Sequence, residues 1–226
     1  TLSAGQATAV LVAAVREGKM PAEALAGSIG RILPLAAEMG ISFDQVGAAI
    51  ASMTRLGLDA NEATTALRGA MAGMIKPSED ASKTIKQFGL TFADLRKVVR
   101  EEGLLEGLLL LRDRIGDNDT AMTKIFPNVR ALTGVLNLVG QNADAAREIF
   151  ANLARVTEQD LVDAFEAAQE AASDKFEDAL NAVHVALRKV GDVLLPIVVP
   201  AVERLTAVLL KGIKAWERLN PGMQVA

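Results

Sequence analysis

The sequence predicts an all-α protein. A compact array of short helices is followed by a long helix with a proline kink and a second helix. Three observations carry this expectation. Half of the 226 residues are apolar, but they include only seven Phe, one Trp and no Tyr. Small aliphatic residues suit close helix packing, whereas strands favour aromatic and β-branched ones. Glycines and cap residues recur at spacings that stop one helix and start the next. Beyond residue 157 the apolar residues recur with a period close to 3.5.

The first part reads as ten helices, over about 3–17, 21–39, 43–56, 60–75, 78–88, 92–98, 103–115, 118–126, 128–139 and 143–155. Pro34 should kink or split the second. Pro77 and Pro127 read as helix starts. One local phrase occurs three times: Gly40-Ile41-Ser42-Phe43-Asp44-Gln45-Val46, Gly57-Leu58-Asp59-Ala60-Asn61-Glu62-Ala63 and Gly89-Leu90-Thr91-Phe92-Ala93-Asp94-Leu95. Each glycine can adopt the left-handed conformation that ends a helix. Ser42, Asp59 and Thr91 can then accept the free N–H groups of the next one. Gln45, Glu62 and Asp94 stand three residues later and can reach back. Ile41 with Val46, and Leu90 with Leu95, are placed as hydrophobic staples. The copies are 17 and then 32 residues apart, so they are tight helix-to-helix punctuation and not a solenoid repeat.

The second part has a different character. Thr157 with Asp160 resembles a capping box. From 158 to 195 there is no proline, and Gly191 is the single glycine. Leu161, Phe165, Ala168, Ala172, Phe176, Leu180, Val183 and Leu187 form an apolar line. Pro196 and Pro200 then bend the chain, and a second helix runs to about residue 219. The expected division is a compact multi-helix domain over 1–156 and a long amphipathic helical segment over 157–226.

Charge follows the same division. Residues 1–155 hold 17 basic and 17 acidic side chains. Residues 156–178 hold eight acids and one base, and residues 179–226 hold six bases and three acids. An acidic half followed by a basic half suits staggered pairing between copies. Glu166, Glu170, Asp174 and Asp178 form a stripe four residues apart, and like charges at that spacing are mildly destabilising without a partner. With the apolar residues Leu161, Phe165, Phe176, Leu180 and Leu187, this stripe is the expected contact surface between copies.

Composition excludes several functions. With no Cys there is no disulfide, thiolate nucleophile or Cys-ligated metal. That fits an intracellular or assembly-protected protein. His184 is the single histidine, with no Glu three residues before it as a helical di-metal site requires, and no base or nucleophile beside it. No phosphate loop, nucleophile elbow or zinc signature occurs. The expectation is no catalytic residue, no metal and no cofactor. Net charge is −4, and the basic residues are scattered without aromatic interleaving, so no specific nucleic-acid surface is expected. Met53, Met71 and Met74 read as core filling. The chain opens on Thr1-Leu2-Ser3 without a basic leader and stops at Gln224-Val225-Ala226, which suggests a stretch of a longer protein. Residues 193–202 are an uncharged run of ten with two prolines inside it, short of the roughly 20 a membrane span needs.

Several phrases resemble the core of tail tape measure proteins of long-tailed bacteriophages and gene transfer agents. Ile50-Ala51-Ser52-Met53-Thr54-Arg55-Leu56-Gly57-Leu58 leads into Glu62-Ala63-Thr64-Thr65-Ala66-Leu67-Arg68. Lys76-Pro77-Ser78, Phe88-Gly89-Leu90-Thr91-Phe92 and Gly103-Leu104-Leu105-Glu106-Gly107-Leu108 follow. Arg130-Ala131-Leu132-Thr133-Gly134-Val135-Leu136 and Gly191-Asp192-Val193-Leu194-Leu195-Pro196 complete the set. The resemblance spans roughly 28–221. It departs at Ile125-Phe126-Pro127, where the resembled pattern has glycine after the phenylalanine. It implies a structural protein in the tail lumen of the virion, present in the host cytoplasm during assembly. Such a protein templates tail tube assembly, sets tail length and leaves ahead of the DNA. The implied partners are further copies in a trimer or other small coaxial bundle, tail tube and tip proteins, tail assembly chaperones, and the host membrane during ejection. Two other readings fit the residues. One is a membrane-active, pore-forming or translocating helical protein that inserts residues 193–202. The other is a cytosolic helical scaffold.

Overall fold

The computed structural model describes residues 3–171 and residue 188. The described residues form twelve α-helices and no strand. They are α1 (Ala4–Gly18), α2 (Ala22–Ile29), α3 (Leu33–Met39), α4 (Phe43–Arg55), α5 (Ala60–Ile75) and α6 (Glu79–Gln87). Then come α7 (Phe92–Glu101), α8 (Leu104–Ile115), α9 (Asp119–Ile125), α10 (Val129–Val139), α11 (Ala143–Ala154) and α12 (Glu158–Ala171). The stretch 21–39 is two helices, with Pro34 in the first turn of α3. There its missing N–H breaks no helical bond. Pro196 and Pro200, with the bend expected there, lie outside the described residues.

Pro77 and Pro127 do not open their helices. Each stands one residue before the N-cap, which is Ser78 for α6 and Asn128 for α10. Their side chains accept hydrogen bonds from Ala81 N and Ala131 N at 3.1 Å each. A polar side chain that satisfies an open N–H outranks a proline that can only leave one out. Proline at 127 also forces extended backbone on the residue before it. Phe126 is non-helical, with φ −118° and ψ 79°.

The core lies around α4 and α5. The run from Val46 to Met53 in α4 is buried on every side, as expected of a helix enclosed by others. It is flanked by α1, α5 and α11. α5 in turn packs on α10, α2, α3 and α7. Met53, Met71 and Met74 are fully buried. Helix spacing is set by small residues. A Cβ added at Gly134 would sit 2.8 Å from Ala66 Cβ, and one at Gly18 would sit 2.9 Å from Ala51 Cα. These are the α10–α5 and α1–α4 approaches, and they leave no room for side chains.

Gly18 also changes where α1 stops. The glycine stays helical, held by its approach to α4, and Lys19 takes the left-handed cap with φ 50° and ψ 39°. The N–H of Met20 then returns to Val15 O at 3.3 Å. A lysine in that conformation costs about 1 kcal/mol relative to glycine.

Candidate functional site

Two of the three glycine phrases form reciprocal caps. Asp59 accepts from Glu62 N at 2.8 Å, and Glu62 accepts from Asp59 N at 3.3 Å. Thr91 accepts from Asp94 N at 3.1 Å, and Asp94 accepts from Thr91 N at 3.0 Å. Gly40, Gly57 and Gly89 all have positive φ, at 75°, 102° and 71°.

The Ser42 phrase behaves differently. Ser42 makes no side-chain cap bond. Gln45 does not reach back to it. Its Oε1 accepts from Leu104 N at 3.1 Å, and so caps α8. The reason lies at Gly103, the N-cap of α8, which has no side chain to offer. A Cβ there would meet Gln45 Nε2 at 2.8 Å. Gly103, at φ 112°, both makes the turn and admits the amide. A residue on one helix thus closes the open end of another 59 positions along the chain. Ser3, Ser78, Asn118 and Asn128 cap four further helices. All four are strong N-cap residue types directly before a helix, a signal the sequence carried.

The expected contact surface begins on α12. Thr157 and Asp160 form a third reciprocal pair. Asp160 Oδ2 accepts from Thr157 N and from Thr157 Oγ1 at 2.6 Å each. Those two bonds, followed by the nearby Arg16 charge, hold the Asp160 carboxyl below its usual value. Asp94 is lowered in the same way by Thr91, with Lys97 adding to it. α12 packs against α1. The Ser3 hydroxyl donates to Glu158 Oε1. Between α1, α11 and α12 lies an open cleft of about 260 Å³, bordered by Val12, Arg16, Asn152, Arg155, Asp160 and Ala164. Leu161 is half-buried and Val162 is 45% exposed. Phe165, Glu166 and Glu170 fall within α12. Asp174, Phe176, Leu180, Leu187, Asp178 and His184 lie outside the described residues.

Among the described residues, no group of three or more His, Cys, Asp or Glu is placed to hold a metal ion. No described helix is long and apolar enough to cross a membrane. The run 193–202 is not among them.

Comparison with known proteins separates the readings. The family model for phage-related minor tail proteins matches residues 2–127. The chain belongs to this family. Its match covers α1 through α9. A tape measure protein of Pneumococcus phage Dp-1 is 24% identical over 229 aligned residues. That alignment takes in 96% of this chain and 19% of the relative, so the chain spans about a fifth of the relative's length. No solved structure matches. Family membership assigns the chain a structural role in the phage tail and displaces the reading as a cytosolic scaffold.

Proposed function

We propose that the chain is a helical module of a tape measure protein, placed at one end of the molecule that sets tail length. The observation that carries this is the alignment of nearly the whole chain with part of a tape measure protein. In this reading the protein lies in the tail lumen, templates tube assembly and leaves ahead of the DNA. Tube and tip proteins, assembly chaperones and further copies of the same protein are its partners, and the host membrane is met at ejection.

Helix geometry divides the labour. An extended helix advances about 1.5 Å per residue, so 153 residues in one helix would measure roughly 230 Å. The same number folded compactly spans about 40 Å. Eleven short helices from α1 to α11 convert residues into surface and not into length. They are suited to anchoring the ruler, and the long segment that starts at α12 is suited to extending it. In this reading the functional division falls at about residue 157.

Removal of residues 1–226 in frame from the parent phage tests the reading. Loss of tails, or tails of altered length in negative-stain micrographs, is the expected result. Infectious particles with tails of normal length would overturn it.

A further inference from the structure

We infer that the α1–α11 face beneath α12 is an exchangeable seat for an acidic helix, and that in the assembled protein it receives α12 of a second copy. The inference rests on the reading that copies lie side by side.

The seat is built for the charge it holds. Residues 158–171 carry five acids and no base. Arg16 and Arg155 border the cleft they cover, and both are exposed at its rim. Glu158 reaches toward the start of α1, where Ser3 donates to it. There Gly5 leaves the space it needs, since a Cβ would sit 2.8 Å from the Glu158 carboxyl carbon. Asp160 and Arg16 border the same cleft. Among its described side chains α12 is tied to α1 by the Ser3–Glu158 hydrogen bond, and the cleft beneath it remains open. Interdigitated cores leave few such voids. Contacts of this kind are weak one by one and are screened by salt. The same contacts are available to the same helix from a neighbouring chain. Only residues 155–157 separate α11 from α12, and a short hinge between packed elements favours exchange between copies.

Distance measurement between spin labels tests this, and the absence of native Cys makes each label unambiguous. One population carries Val12→Cys and a second carries Ala164→Cys. A chain carrying both gives the reference distance within one copy. After the two single-label populations are mixed at concentrations where the chain associates, the reference distance should appear between chains. It should be lost when Arg16→Glu and Arg155→Glu are present together, with helix content by circular dichroism unchanged. Association without that distance would overturn the exchange and leave the side-by-side arrangement standing. A chain that stays monomeric at every concentration would overturn both.

Discussion

Replacing Gly134 by alanine puts the helix packing to a quantitative test. Gly134 lies in α10 where it crosses α5. An added Cβ would stand 2.8 Å from Ala66 Cβ, 3.1 Å from Met53 Cε and 3.4 Å from the Ala66 carbonyl carbon. Carbon atoms prefer about 3.5–4.0 Å. The Met53 terminus can turn away. Ala66 cannot, because its Cβ is fixed to the backbone of α5, so the two helices must separate. Overpacking of this kind costs about 1–3 kcal/mol. Alanine returns about 0.8–1.0 kcal/mol through helix propensity. The net expectation is a loss of about 1 kcal/mol. Gly27 in α2 provides the matched control, since a Cβ there meets nothing within 4 Å. Gly27→Ala should therefore gain about 0.5–1 kcal/mol. The two variants receive the same methyl group in the same secondary structure and should move in opposite directions. In a chain of this size 1 kcal/mol shifts Tm by about 2–4 °C, so urea titration with a thermal scan resolves the difference. If both variants are stabilised alike, α10 and α5 are not in close contact at Gly134, and the account of the core fails.

Three further predictions test the connections and the junction. Gln45→Ala should cost about 1 kcal/mol by uncapping α8. Hydrogen exchange should locate the loss at Leu104 to Gly107 while the start of α4 is unchanged. Gly57→Ala should cost about 1–2 kcal/mol in urea unfolding. No neighbour lies within 4 Å of the new methyl, so the whole effect reports the backbone φ of 102°. The third concerns acid. A carboxyl held below its unfolded value stabilises the fold above the ordinary carboxylate range and loses that contribution as pH falls through its lowered pKa. Thr157 and Thr91 hold Asp160 and Asp94 in that state. NMR at falling pH should therefore show fraying at the starts of α12 and α7 below about pH 4. Asp160→Asn should remove the α12 part of that response.

Much of the fold was legible because the connections are local. Asp59 with Glu62, and Thr91 with Asp94, need only a four-residue window, and the structure forms both as expected. Gln45 shows where local spacing stops. Its position matches the phrase, but its amide is taken by Leu104, 59 residues away, because Gly103 cannot cap its own helix. Lys19 shows a second limit. A glycine one residue earlier invites the left-handed cap, yet the close approach of α4 holds Gly18 in the helix. Such competition between local preference and packing leaves no mark on the sequence. The candidate contact surface was legible as a pattern of acids and apolar residues. The packing of α12 on α1 was not, because the two are separated by more than a hundred residues and meet only in the folded chain.

Tail length after tandem duplication of residues 3–155 distinguishes an anchor from a ruler. In the proposed function this region is a compact end of the molecule. An extra copy should therefore lengthen the tail by no more than about 40 Å, the span of a compact domain of that size. An increase near 230 Å, the length of the same residues as one extended helix, would show that the region itself measures the tail and would contradict the account.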